Sequence, residues 1–117
     1  MIDQPVIDAF YAMWDKFPDP AIVIGSDKVI VAANEAARRT GRIEGTVCAT
    51  VPPPEGHAGC KASHALKSGQ GAWLKKKGMH GDVITYWLPI KGHPDYLLHF
   101  SLGALTCYDG DEKRIAE

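Results

Sequence analysis

The chain has 117 residues, of which 45% are hydrophobic and 23% are charged, and its formal net charge is −1. This length and composition fit one globular domain with its own core and exclude wholesale disorder. The near-neutral charge argues against nucleic-acid binding by bulk electrostatics. No apolar run reaches the roughly 20 residues of a membrane helix, and the N-terminus does not resemble a signal peptide. We therefore expect a soluble, cytoplasmic domain, which could also be a fragment of a larger receptor.

Residues 1–18 are predicted to form an amphipathic N-terminal helix. Apolar residues recur three or four positions apart over 2–17, and Pro18 ends the pattern. A helix of this kind either packs on its own domain or pairs two copies of the chain as a homodimer. The pattern is compatible with both.

The clearest local pattern lies in residues 19–45. Two β-type runs, 21–24 and 29–32, are separated by a cluster of turn residues. Asn34 then precedes a run of helix formers as an N-cap residue, and Gly41 follows that run as a C-terminal glycine. This stretch predicts a β-hairpin followed by a short capped helix.

The rest of the chain predicts a connector, another short helix and three strands. The connector follows Gly45 without periodicity, and helical character returns from about residue 57 or 59 to Lys67. The strand candidates are 71–77, 82–90 and 96–105. Glycine-containing turns link them as antiparallel neighbours, and Trp73 is the main apolar anchor of the first. This order predicts an α+β fold in which a five-stranded antiparallel sheet carries connector helices on one face and the N-terminal helix on the other.

In order and spacing, these pieces resemble a PAS domain of the bacterial sensory type. The resemblance rests on Asp19-Pro20-Ala21-Ile22-Val23, on Val29-Ile30-Val31-Ala32-Ala33-Asn34-Glu35-Ala36-Ala37, and on Gly41 and Gly45. It extends to about Leu102, and it implies a PAS-like domain over 19–106 with a charged tail over 107–117 that could begin a linker helix.

The PAS resemblance also implies a function. Such a module binds a small ligand or cofactor between the sheet and the connector helices, without catalysis, and relays the signal through dimer packing. We therefore expect a homodimer that works with other domains of a larger signalling protein, or with a partner kinase or regulator.

Cysteine and histidine residues of the connector predict an alternative, a metal- or haem-binding redox or gas sensor. Cys48, His57, Cys60 and His64 are the ligand types of a tetrahedral zinc site, and a helix from His57 would place positions 57, 60 and 64 on one face. The segment from Cys60 to His64 also resembles the C-x-x-C-H motif of c-type haem, with Ser63 in place of the second cysteine. Buried thiols beside solvated imidazoles, or a reversible disulfide between Cys48 and Cys60, are further interpretations.

For the ligand pocket, the sequence singles out Asn34, His57, His64, Trp87 and His99. Any of the three histidines could be an axial ligand of non-covalent haem. Together with the zinc set of the connector, this makes haem and zinc the candidate cofactors, and a pocket without a cofactor is also plausible. His99 lies on a strand among apolar residues, where hydrogen bonding alone also explains a histidine.

Catalysis is not expected from this sequence. Cys60 has no orienting Asn or Asp nearby, and the glycines form neither a phosphate loop nor an oxyanion elbow. The basic run Lys75-Lys76-Lys77 is predicted to be a solvated face that discourages edge-to-edge pairing of strands.

Overall fold

A computed structural model describes residues 4–50, 59–78 and 81–106. The helices are α1 (Gln4–Trp14), α2 (Glu35–Arg39) and α3 (Ala62–Ser68), and a 3₁₀ turn spans Cys48–Thr50. The strands are β1 (Ala21–Gly25), β2 (Ile30–Ala33), β3 (Ala72–Gly78), β4 (Gly81–Ile90) and β5 (His93–Leu102). They form one antiparallel sheet in the order β2-β1-β5-β4-β3. The predicted α+β fold with a five-stranded antiparallel sheet is confirmed.

The hairpin and the capped helix α2 follow from local signals. The Asn34 side chain accepts a hydrogen bond from the backbone N–H of Ala37 at 2.8 Å, as an N-cap residue does. At the other end, the N–H groups of Gly41 and Arg42 donate to the carbonyls of Arg38 and Ala37. Gly41 has a φ of 89°, so this end is a Schellman motif. Capping at both ends compensates for the small number of hydrogen bonds in so short a helix.

The helix α1 packs over β1 and β2 through its apolar stripe. Val6 and Phe10 are buried against Ala21, Val23 and Ala32 of the sheet. The small side chains of these strand residues leave room for the helix on the sheet. Most of the apolar stripe is therefore already buried within one copy of the chain.

The opposite face of the sheet carries the connector and α3. Ile22 and Leu97 of the sheet form one core cluster with Cys48, Ala62 and Ala65 of the connector side. The sheet is thus covered on both faces around β1, which explains why this strand is buried at every position.

The helix α1 ends earlier than predicted. It stops at Trp14, and the backbone N–H of Phe17 donates to the carbonyl of Trp14 at 3.0 Å in a turn. Pro18 disfavours helical geometry at the residue before it, so the apolar pattern outlasts the helix.

The strand β5 begins at His93, earlier than the predicted residue 96. The preceding turn needs only Lys91 and Gly92, because Gly92 adopts a φ of 83°. Pro94 lies in the segment skipped by a register shift, since Pro89 pairs with Leu97 and the next residue pairs with His93. Its missing N–H therefore removes no ladder hydrogen bond.

The predicted role of Trp73 as the anchor of β3 is wrong. Trp73 is 61% exposed, whereas Ala72 is buried and Leu74 packs against the connector core. Strand alternation turns Trp73 to the α1 face of the sheet, opposite Tyr86. Because α1 lies over β1 and β2, it leaves this part of the face uncovered.

Candidate functional site

A cavity of about 320 Å³ lies between the connector and the sheet. Side chains of β1, β4 and β5 line one wall, and the 3₁₀ turn, the loop before α3 and the segment after β5 line the others. Most of its surface is apolar. The volume falls at the lower end of the roughly 300–1,000 Å³ that is typical of small-molecule sites.

Trp87 and His99 lie side by side in the sheet wall of this cavity. They are register partners on β4 and β5, and their rings stack with centroids 5.0 Å apart and planes inclined by 14°. The His99 Nδ1 is 3.0 Å from the carbonyl oxygen of Tyr86, to which it donates, because that oxygen can only accept.

The Trp87 indole is the unusual polar group of this wall. Its residue is 4% exposed, and its Nε1–H has no hydrogen-bond partner in the part of the chain that the structure describes. Buried indole N–H groups usually have a partner. This donor is therefore suited to an acceptor atom of a molecule inside the cavity.

Cationic side chains from three separate elements line the cavity. They are Lys28 of the β1–β2 turn, Arg42 after α2, and Lys76 of β3. The Lys28 Nζ donates to the Ser63 hydroxyl at 2.9 Å, and the Arg42 guanidinium donates to the Thr40 hydroxyl at 2.8 Å. These two partners are neutral, and the described residues of the lining include no Asp or Glu. The described lining therefore carries a surplus of positive charge.

Cys48 and Cys60 both line the cavity, but their environments differ. Cys48 is buried in the 3₁₀ turn, and Cys60 is exposed before α3. Burial raises the pKa of the Cys48 thiol; the nearby Cys60 adds to that rise, and the positive charges of Arg42 and Lys28 oppose it. Cys48 is therefore a protonated thiol of low reactivity at neutral pH.

The described part of the connector, from residue 59 onward, does not form the helical ridge on which the predicted zinc set depended. Gly59 has a φ of 78°, which a right-handed helix cannot continue through, and α3 begins only at Ala62. Cys60 thus precedes the helix, and His64 is exposed on it and does not line the cavity. The described residues contain no group of three or more His, Cys, Asp or Glu side chains placed to hold a metal ion. His57 lies outside the described residues, so the four-ligand set stays a prediction.

Several solved structures share this architecture. A sensory box sensor histidine kinase from Vibrio cholerae aligns with a TM-score of 0.59 at 14% identity, over 85% of this chain and 87% of that one. A domain of an HTR-like protein from Haloarcula marismortui aligns with a TM-score of 0.58 at 17% identity, over 72% and 95% of the two chains. The PAS domain of BvgS from Bordetella pertussis aligns with a TM-score of 0.54 at 17% identity, over 86% and 84%. The chain has the PAS fold.

The likeness to these PAS-fold structures concerns architecture. No protein-family model and no curated protein matches the sequence. A shared fold at such identities does not carry a ligand from one protein to another, so the function has to be argued from the cavity. Among the described helices, none has the length and apolarity needed to span a membrane.

Asn34, a predicted pocket residue, is placed in the framework of the PAS fold. It is fully buried and does not line the cavity. Beyond its capping role, its Oδ1 accepts from the N–H of Ala21 at 3.1 Å. Its Nδ2 donates to the carbonyls of Trp14, Phe17 and Asp19 at 3.2, 3.1 and 3.0 Å. The side chain ties the end of α1 to the first strand and to α2, which supports a structural role.

Asp19 is a buried residue that the sequence reasoning missed. Its carboxylate accepts hydrogen bonds from the N–H groups of Gly103, Leu105 and Thr106 at 3.0, 2.7 and 3.2 Å, and from the Thr106 hydroxyl at 2.7 Å. All these donors follow β5, and Leu105 lines the cavity. Asp19 therefore holds in place the segment after β5, which forms part of the wall of the cavity.

The basic run in β3 is divided between the two faces of the sheet. Lys75 and Lys77 pair with Asp82 at 3.2 and 3.3 Å. Lys76 lies on the other face with Leu74, toward the connector, and lines the cavity. Strand alternation is the sequence signal that could have separated Lys76 from its neighbours.

Proposed function

We propose that this PAS-fold domain is a non-catalytic sensory module that binds a small molecule in the cavity between the sheet and the connector. The cavity carries the proposal, because a largely apolar lining with a few polar groups is typical of small-molecule sites. The signalling part is supported by the sensor histidine kinase among the structures of the same fold. For Cys48, burial raises the pKa of the thiol, which argues against a nucleophilic role for this residue, since a protonated buried thiol is a poor nucleophile.

The mechanism that we infer is a shift between arrangements of the connector. The helix α3 packs on the sheet through the small side chains of Ala62 and Ala65 and the partly buried Leu66, and Lys28 adds one hydrogen bond to Ser63. Ala62 also lines the cavity, so a bound ligand would contact this helix directly. A ligand that binds one arrangement more tightly raises the population of that arrangement.

The strand β5 offers a route from the cavity to α1. Phe100 lines the cavity, and its ring packs against Trp14 of α1 with centroids 4.9 Å apart. The segment after β5, which Asp19 holds, is the second element that can report a change at the site.

We propose that two copies of the chain pair through α1, and that the pair acts on further domains of a larger signalling protein or on a partner kinase or regulator. An open, largely apolar groove of about 350 Å³ runs along α1 beside β5 and the β4–β5 turn. Met13 at this groove is 72% exposed, and Trp73 is exposed on the same face of the sheet. Exposed apolar side chains on one face are typical of protein interfaces.

The pairing is tested by light scattering after size-exclusion chromatography. Met13→Lys should convert a dimer to a monomer, whereas Val47→Lys, which changes an exposed residue of the connector, should leave the mass unchanged. Phe10 is unsuitable for this test because it is 3% exposed, and a charge there would unfold the monomer. A wild-type chain that is monomeric at every concentration contradicts the proposal.

Ligand binding is tested by native mass spectrometry of the freshly purified protein. The proposal predicts a small organic adduct that is lost under denaturing conditions. Bound zinc, or haem with visible absorption, that disappears in Cys60→Ala or His64→Ala would instead support the metal or haem alternative. Spectra free of any adduct, both after purification and after incubation with a metabolite extract, contradict the ligand-binding function.

A further inference from the structure

We propose that the cavity is specific for a small organic anion, whose acidic group binds between Lys28 and Arg42 and whose apolar body lies against Trp87. This inference rests on the proposed small-molecule function and names the chemical class of its ligand.

The arrangement of charge is the first observation. Lys28 and Arg42 come from different loops, and both line the cavity. The backbone carbonyl of Lys28 accepts a hydrogen bond from the N–H of Cys48 at 2.9 Å, which places Lys28 beside the 3₁₀ turn. The positive charges of Lys28 and Arg42 both oppose the rise in the pKa of the Cys48 thiol, which agrees with a position of both near this turn. The ion pairs of the described residues use Glu35, Glu44 and Asp82, and neither Lys28 nor Arg42 takes part in them.

The side chains of Lys28 and Arg42 have more N–H donors than their hydrogen bonds use. Arg42 has five N–H donors and Lys28 has three. The hydroxyls of Thr40 and Ser63 take one from each. A carboxylate or similar group accepts from both side chains at once, and charge-assisted hydrogen bonds of this kind are about twice as strong as neutral ones.

Lys28 also has an uncommon backbone conformation. Its φ is 68°, a left-handed value that is rare outside glycine, Asn and Asp. The turn places its side chain over the connector, where Nζ reaches α3. A residue that is kept in a strained conformation and lines a cavity is an arrangement often found at ligand sites.

The Trp87 indole is the second, independent observation. Its Nε1–H is buried in the sheet wall without a partner among the described residues. A neutral hydrocarbon would leave this donor unsatisfied, and a cation would be repelled by Lys28 and Arg42. An anion with an additional acceptor atom satisfies all three groups, and its flat or aliphatic body can lie on the stacked pair of Trp87 and His99.

The test uses isothermal titration calorimetry with benzoate and benzamide, which have nearly the same shape but differ in charge. Benzoate should bind the wild-type chain at least tenfold more tightly than benzamide. Arg42→Gln and Lys28→Gln should each weaken benzoate binding by about 10–100-fold, the range for a lost charge-assisted hydrogen bond. Lys67→Gln, an exposed lysine of α3 that does not line the cavity, is the matched control and should leave the affinity unchanged.

Further arms separate the parts of the inference. Trp87→Phe keeps the aromatic surface and removes the N–H. It should therefore weaken the binding of 4-acetylbenzoate, whose ketone oxygen is an additional acceptor, severalfold, and change benzoate binding little, while the thermal midpoint stays near that of the wild type. Inorganic phosphate should bind much more weakly than benzoate because it has no apolar body. If Arg42→Gln does not fold, Lys28→Gln still tests the charge.

The outcomes distinguish this inference from the function on which it rests. Equal affinity for benzamide and benzoate, or full affinity in both charge variants, would overturn the anion specificity and leave a small-molecule site standing. Phosphate that binds as tightly as benzoate would overturn the apolar requirement. A chain that binds neither benzoate nor benzamide, and that carries no organic adduct when purified, would overturn both.

Discussion

Removal of the Asp19 carboxylate should destabilise the domain more than any other change of a single acidic side chain among the described residues. Asp19 has no exposed surface, and its carboxylate accepts hydrogen bonds from Gly103, Leu105 and Thr106. A hydrogen bond to a charged group contributes about 1.5–3 kcal/mol. All the donors belong to the segment after β5. When the carboxylate is removed, these donors can partly hydrogen-bond to water, so the loss is smaller than the sum of the individual hydrogen-bond contributions. We expect Asp19→Ala to lower the free energy of unfolding by about 3–5 kcal/mol.

Urea denaturation followed by tryptophan fluorescence measures this loss. With a slope of about 1–3 kcal/mol per molar urea, the midpoint should fall by more than 1 M. Asp19→Asn keeps one acceptor oxygen but points an amide at backbone donors, so it should lie between the wild type and Asp19→Ala. Asp95→Asn, at an exposed position of β5, is the control and should change stability by less than about 0.5 kcal/mol. A loss below about 1 kcal/mol for Asp19→Ala would refute the assigned role of the carboxylate.

Two further predictions concern buried groups of the framework and the cavity. Asn34→Ala should lower the thermal midpoint by an amount that corresponds to about 2–4 kcal/mol, because it removes the cap of α2 and leaves buried carbonyls without a donor. An unchanged midpoint would show that water replaces the side chain. Iodoacetamide at pH 8 should alkylate Cys60 much faster than Cys48, since burial raises the pKa of the Cys48 thiol, and peptide mass spectrometry that finds equal rates would contradict this. The pKa of the Cys48 thiol is higher in the folded chain than in the unfolded chain. As the pH rises, the unfolded chain therefore loses the thiol proton first. The stability that this thiol contributes is present below about pH 8.5 and is lost at more alkaline pH.

The parts of the fold that the sequence predicted depend on neighbours along the chain. The hairpin, the Asn34 cap and the glycine at the end of α2 are read within a few residues, where turn chemistry and capping act. The prediction placed β5 too late in the chain, at 96–105 instead of His93–Leu102, because Pro94 normally opposes strand pairing, and a register shift accommodates it here.

The site was harder to predict because its residues meet only in three dimensions. Trp87 and His99 were expected in a pocket and line the cavity. Lys28 and Arg42 were missed, because local patterns predict the turns that carry them but not which side chains those turns bring to one cavity. The partners of Asp19 lie 84 to 87 residues further along the chain, so its burial has no sequence signature.

The tryptophan indole signals of a ¹H–¹⁵N correlation spectrum show most directly whether the cavity between the sheet and the connector is the ligand site. The chain has three tryptophans, Trp14, Trp73 and Trp87, and each gives one Nε1–H signal. On titration with benzoate, we expect a saturable shift of the Trp87 signal, while the signal of Trp73, which is exposed on the other face of the sheet, stays in place. A Trp87 signal that does not move, or a shift confined to Trp73, would show that the ligand binds elsewhere.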